Sequence, residues 1–191
     1  MLGRLVRRHG DELDDDELAG LADGLLTGGF ETTASMLALG ALAILRDTVL
    51  FGQMTGGDDE VHRAVEELLR YLTVVQIAFP RFARTDVTIS ATTIAKGDVV
   101  LCSLSGANRD PVLGENMERL VPDRAPTQHL AFSHGIHRCL GAELARMELR
   151  IALPALARRF PRLRLAVPPE KLSFRELSLV HGIDTLPVYL D

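Results

Sequence analysis

The chain has 191 residues, 47% of them hydrophobic, and a formal net charge of −5 at pH 7. That is one domain's worth of chain with ample apolar material for a core, which excludes a persistently disordered tail. The negative balance disfavours phosphate-backbone binding, which needs a basic face, so nucleic acid is not an expected partner.

Residues 1–10 are basic through Arg4, Arg7 and Arg8 but run into Asp and Glu instead of an apolar stretch, so they do not read as a secretory signal. Asp14, Asp15, Asp16 and Glu17 supply the negative charge that favours a helix start, and helix-compatible sequence continues to about Arg46. Leu18, Leu21, Leu25, Leu26, Phe30, Leu37 and Leu42, with alanines between, cover most of its circumference, which predicts a helix buried on nearly all sides. The apolar stretch 34–45 is shorter than the about 20 residues a bilayer requires, so a buried helix is expected and no membrane partner.

Gly56-Gly57 and the acids Asp58, Asp59 and Glu60 announce a second helix, with Val61, Val65, Leu68, Leu69 and Leu72 at helical spacing. It ends before Pro80. β-Branched runs around Val87, Ile89, Thr93, Ile94 and residues 99–104, with a Gly97-Asp98 turn signal, predict a small antiparallel β-sheet. Residues 108–127 are rich in turn formers and read as a long irregular segment, which in a compact domain is usually functional. A third helix is expected over about 140–160, then strands near Leu163, Leu165, Val167 and residues 178–190. The fold class is therefore mainly α with a small antiparallel β-sheet (α+β), in one unit over residues 1–191.

Cys102 and Cys139 stand far apart without a Cys-x-x-Cys pair, so neither a zinc site nor a disulfide framework is suggested and a cytoplasmic location is expected. Cys102 lies in an apolar run and reads as core. Cys139 is different. It closes the stretch Phe132-Ser133-His134-Gly135-Ile136-His137-Arg138-Cys139-Leu140-Gly141, a glycine-containing loop that delivers a cysteine to a helix start. A helix N-terminus and nearby cations favour an ionised sulfur, and glycines let backbone approach a flat cofactor.

This stretch resembles the haem-binding signature of the cytochrome P-450 family, Phe-Gly-x-Gly-x-His/Arg-x-Cys-x-Gly, at Phe132, Gly135, His137, Cys139 and Gly141. Ser133 stands where the family usually has glycine. The resemblance implies that Cys139 is the thiolate ligand of a haem iron, whose electron donation favours O–O cleavage. It also implies that Phe132, His137 and Gly141 help hold the haem (iron protoporphyrin), with Arg81 and His137 each facing a propionate.

Gly28-Gly29-Phe30-Glu31-Thr32-Thr33 interrupts the long helix pattern. Paired glycines cost roughly 1 kcal/mol each in a helix interior, which suggests a kink or groove beside an acid and a hydroxyl able to carry protons. The same residues also fit close helix packing, with Thr32 bonding back one turn. The motif is similar to the family's Gly-x-Glu/Asp-Thr acid–alcohol pair, which implies catalytic proton delivery by Glu31 and Thr32. Glu67 and Arg70, alone an ordinary i,i+3 pair, resemble the family's buried Glu-x-x-Arg brace. Asn108-Arg109-Asp110-Pro111 and Asp123-Arg124 also match the bacterial pattern.

The matching motifs run the length of the chain but belong to the family's C-terminal half, so the expected fold is the C-terminal part of the cytochrome P-450 fold, with the family's N-terminal half absent. Residues 48–57 lack an amphipathic helix pattern, and Gly114, Glu115 and Met117 replace the usual aromatic and prolines. The implied function is a haem-thiolate monooxygenase of the bacterial, ferredoxin-dependent type, inserting oxygen into a small apolar substrate. The alternatives are a non-catalytic haem- or partner-binding remnant and a helical domain without cofactor. By analogy Leu26, Val75, Ile77, Leu179 and Val180 line the pocket. Arg138, Arg146 and Arg150 fit either a docking face for an acidic ferredoxin or a solvated helix face. Self-association, or a partner chain covering the long apolar helix, is also expected.

Overall fold

The computed structural model describes residues 2–190. It is mostly helical, with short antiparallel ladders at its edges. The helices are α1 (Leu2–His9), α2 (Asp15–Arg46), α3 (Thr48–Thr55), α4 (Asp58–Leu72), α5 (Leu104–Ala107) and α6 (Ala142–Arg159).

Helix α2 starts at a reciprocal cap: the Glu17 N–H donates to Asp14 at 2.8 Å, and the Asp14 N–H donates to the Glu17 carboxylate at 3.1 Å. Two otherwise orphaned donors are thereby satisfied. The helix runs unbroken through Gly28 and Gly29, so the expected kink is not found. By length and composition α2 is apolar enough to cross a bilayer, which the stretch 34–45 alone did not suggest. Its C-terminal half is instead buried in this fold, through Ser35, Met36, Leu39, Gly40, Ala41, Leu42 and Ile44.

That half packs with α3, α4 and α6 around Ile44, Leu50, Met54, Val65, Leu68, Leu149 and Leu153. Gly40 lets Leu153 come close, since a Cβ there would lie 3.2 Å from a Leu153 methyl. The N-terminal half of α2 departs from the expectation of all-round burial. Leu26 is 69% and Phe30 74% exposed, because among the described residues no element lies over them.

Within residues 48–57, Thr48–Thr55 form α3 after all. Asp47 caps it by accepting the N–H groups of Val49 and Leu50 at 2.9 and 3.0 Å, and the short helix buries Leu50, Gln53 and Met54. Helix α4 ends at Thr73, which adopts φ 39° and donates its hydroxyl to the Arg70 carbonyl at 2.6 Å.

The small antiparallel sheet expected before residue 104 is two separate two-stranded ladders, and the expected terminal strands pair as a third. β1 (Arg81–Phe82) pairs with β4 (Val99–Val100), β2 (Val87–Ile89) with β3 (Thr92–Ile94), and β5 (Arg164–Leu165) with β6 (Val188–Tyr189). Strands of two or three residues bury too little to merge into one sheet. Because β4 stops at Val100, Cys102 lies beyond it and is exposed, not core. The irregular segment 108–127 is well anchored: Asn108 and Met117 are fully buried, so Met117 fills core.

Candidate functional site

The cysteine loop is closed by backbone hydrogen bonds. The Cys139 N–H donates to the Phe132 carbonyl at 2.9 Å, Ser133 to Leu130 at 2.9 Å, and Arg138 to Gly135 at 3.0 Å. Ser133 and Gly135 both take positive φ, 61° and 74°, which bends the chain back on itself. A 3₁₀ turn, Gly135–His137, then presents Cys139 just ahead of α6. The Cys139 thiol is free and exposed. Ile136 is 97% and Leu140 95% exposed, so two apolar side chains stand open on either side of the sulfur in sequence. His137 is also exposed, and Gly141 is half-buried with its Cα face about the sulfur: a Cβ there would lie 3.8 Å from Sγ.

Two side chains approach Phe132. The Arg146 guanidinium lies 4.7 Å from its ring centroid, and the His129 ring centroid is 6.3 Å away. Both side chains converge on Glu66 of α4, Arg146 through Nε at 2.8 Å and Nη2 at 3.0 Å, His129 through Nε2 at 3.1 Å. Partial burial on its own pushes the Glu66 carboxyl up, but the hydrogen bonds and charges of His129 and Arg146 outweigh it and hold it at about 2. Arg146 is therefore not part of an open basic docking face. Arg150 also leans on Glu66, at 3.6 Å, with its side chain 36% exposed, and Arg138 is the most exposed of the three at 57%.

The neighbouring Glu67 turns to a second network. Arg70 donates to it from Nε at 2.7 Å and Nη2 at 2.8 Å, and to the carbonyls of Asn108, Met117 and Arg119, each at 2.7 Å. The pair is buried, as the resemblance implied, with Arg70 1% exposed. Sequence reading missed its third member: Arg124 donates from Nε to Glu67 at 3.1 Å and, from Nη2, to the Asn116 carbonyl at 2.7 Å. Asn108 links this network to the cysteine loop, because its Oδ1 accepts the Leu130 N–H at 2.6 Å.

On α2, Thr32 donates its hydroxyl to the Gly28 carbonyl at 2.6 Å, the one-turn-back bond that its spacing allowed. Glu31 is half exposed and paired with Arg175 at 2.9 Å, a partner no sequence signal indicated. Arg81 sits on β1, half-buried, its Nη1 donating to the Phe79 carbonyl at 2.8 Å. Of the pocket candidates, Val75 and Val180 are brought together by a β-bridge, and Ile77 bridges to Ser103. Leu26 and Leu179 stand exposed, at 69% and 81%.

Residues 61–180 match the family model described as cytochrome P-450. Cytochrome P-450 165B3 of Amycolatopsis orientalis is 44% identical over 188 residues, 98% of this chain and 47% of that protein. The mycinamicin IV hydroxylase/epoxidase of Micromonospora griseorubida is 42% identical over 184 residues, 96% of this chain and 46% of that protein. Among solved structures, P-450 StaH from glycopeptide antibiotic biosynthesis superposes with a TM-score of 0.93 at 45% identity, over 98% of this chain and 51% of that one. The chain thus spans about half the length of the curated relatives it matches.

Proposed function

The chain belongs to the cytochrome P-450 family, whose members bind haem, and from that premise we propose that it is the haem-ligating portion of a monooxygenase with Cys139 as the iron ligand. One observation carries this reading: Cys139 is a free, exposed thiol in a loop bent by Ser133 and Gly135 and flanked by the open apolar side chains Ile136 and Leu140. Such a donor set fits a flat, largely apolar cofactor bound through sulfur. When bound, a thiolate-ligated haem supplies oxygen activation, because the sulfur pushes electron density that favours O–O cleavage.

The chain's own residues do the rest. Arg81 and His137 are hydrogen-bond donors available to the haem carboxylates, where charge-assisted hydrogen bonds both orient and retain an acidic cofactor. Phe132 and Gly141 shape the ground beneath it. Thr32 and Glu31 deliver protons from solvent, Thr32 by releasing the Gly28 carbonyl and Glu31 by releasing Arg175. The substrate is a small apolar molecule that meets Val75, Ile77 and Val180. Electrons arrive from a ferredoxin-type protein in the cytoplasm. The exposed residues Leu21, Leu25, Leu26 and Phe30 of α2 favour a covering surface, from a partner chain or a second copy. The same exposure supports the second reading, a haem- or partner-binding remnant without turnover, since an open site admits water.

The ferrous-carbonyl spectrum of the haem-loaded chain tests the ligand. Cys139→Ser is expected to abolish the red-shifted band of a thiolate-ligated haem and Cys102→Ser to leave it intact; equal spectra for the two variants reject the assignment. Product formation from an apolar substrate separates the enzyme from the remnant. In a working enzyme Thr32→Ala diverts electrons from product to peroxide, since losing a positioned proton-transfer group costs about 10² to 10⁴ in rate.

A further inference from the structure

We propose that Glu66 is a remote positioning residue for the Cys139 loop, acting through Arg146 and His129 on the Phe132 ring. Glu66 and Glu67 are adjacent on α4, and neighbours on a helix point about 100° apart. They serve two different networks for that reason. Glu67 faces Arg70 and Arg124, whereas Glu66 faces the residues around the ligand loop.

The geometry at Glu66 is directional. Arg146 engages it through Nε and Nη2, a two-pronged contact that fixes the plane of the guanidinium as well as its place. The guanidinium carbon lies 4.7 Å from the centroid of Phe132. His129 accepts the Ala131 N–H on Nδ1 at 3.3 Å, which leaves its proton on Nε2 to donate to Glu66 at 3.1 Å. One carboxylate therefore orients a cation on Phe132 and a ring beside it, both from outside the loop. Phe132 in turn supplies the carbonyl that receives the Cys139 N–H at 2.9 Å. The path from Glu66 to the backbone of the sulfur-bearing residue is continuous, and it ties α4 and α6 to the loop between them.

A surface ion pair would not need this arrangement. Glu66 has a side chain 26% exposed, Arg146 15% and His129 5%. Lysine at position 146 would keep a charge near Glu66 but could present neither the fork nor the flat face.

Positioning of the loop stands on geometry alone, while its consequence for the iron ligand rests on the haem-thiolate reading; two measurements keep them apart. In the haem-free full chain, amide hydrogen exchange is followed for Glu66→Gln and Arg146→Lys. Both are expected to speed exchange at the Cys139 amide on the order of tenfold, with the amides of Leu68 and Leu69 near their wild-type rates. In the haem-loaded chain both variants are expected to lose part of the thiolate-type carbonyl band at unchanged haem content. Wild-type exchange at Cys139 in both variants overturns the proposal, and so does acceleration spread evenly over α4 and α6, which marks a merely structural contact. A responsive loop with no thiolate band even in the wild type upholds positioning and rejects the haem reading.

Discussion

Arg175 donates from Nη1 to Oε1 of Glu31 at 2.9 Å, joining residues 144 positions apart in the chain. The same nitrogen lies 3.2 Å from the buried Ser35 hydroxyl, and the Arg175 N–H donates to the Gly182 carbonyl at 2.9 Å. Gly182 makes the approach possible. A Cβ there would lie 2.8 Å from Ser35 Oγ and 3.4 Å from the Arg175 guanidinium carbon. Gly182→Ala is therefore expected to cost about 1–3 kcal/mol through overpacking. Arg175→Gln is expected to cost less than about 1 kcal/mol, because this ion pair is well solvated. Urea unfolding of the two variants checks the order, and a neutral Gly182→Ala contradicts it.

Breaking the Glu67–Arg70 pair is a larger perturbation. Arg70 is fully buried and satisfies three carbonyls of the irregular segment besides Glu67, while Glu67 also accepts the Val121 N–H at 2.8 Å. Removing either partner strands a buried charge at about 3–5 kcal/mol. Arg70→Ala and Glu67→Ala should thus be recovered mainly as insoluble protein. Arg124→Ala removes a less buried member and should be milder. A wild-type melting curve for Arg70→Ala rejects the role of the network.

The features read from sequence are those whose cause is local. The acidic start of α2, the periodicity of α4, and the cysteine signature each sit within one short stretch. What escaped reading is what the fold brings together from afar: Arg124 on Glu67, Arg175 on Glu31, and His129 and Arg146 on Glu66. Helix α3 escaped because eight residues are too few to show periodicity, although its Asp47 cap is a local signal that could have found it. Cys102 was misplaced because apolarity of residues 99–104 says nothing of where a strand ends. Gly28 and Gly29 sit in unbroken helix with open space where their Cβ atoms would be, and nothing in the structure explains them. The apolar circumference of α2 states that burial is favoured, not what supplies it.

Ser133 holds φ 61° without being glycine. A left-handed backbone costs a residue with a Cβ roughly 1 kcal/mol relative to glycine. Ser133→Gly, the residue usual in the family, is therefore expected to stabilise the loop by up to about 1 kcal/mol. Gly135→Ala, at φ 74° with open space around it, should destabilise by a similar amount through strain alone. Thermal melts of both variants test this. A lower midpoint for Ser133→Gly would show that the serine makes a compensating contact.

Acid sensitivity follows from Glu66. Its carboxyl is held at about 2 against an ordinary value of 4.5, by hydrogen bonds and charge from His129 and Arg146 that overcome the opposing effect of burial. A depressed carboxyl favours the folded state because its ionised form is better stabilised there than in the unfolded chain. Stability falls with falling pH where the group is ionised in the folded state but protonated in the unfolded one. The stabilisation is therefore complete above the unfolded value and is lost as pH falls from about 4.5 toward 2. Its size is on the order of 2–3 kcal/mol, reduced by the partial exposure of the side chain. Arg146 moves in step: its hydrogen bonds to the Glu66 carboxylate raise it, so it stays charged throughout this window. Urea unfolding at neutral pH and at about pH 3 should show wild type losing this increment, while Glu66→Gln, already weaker at neutral pH, loses less on acidification. The same acid-induced loss in Glu66→Gln as in wild type would assign the sensitivity to other carboxylates.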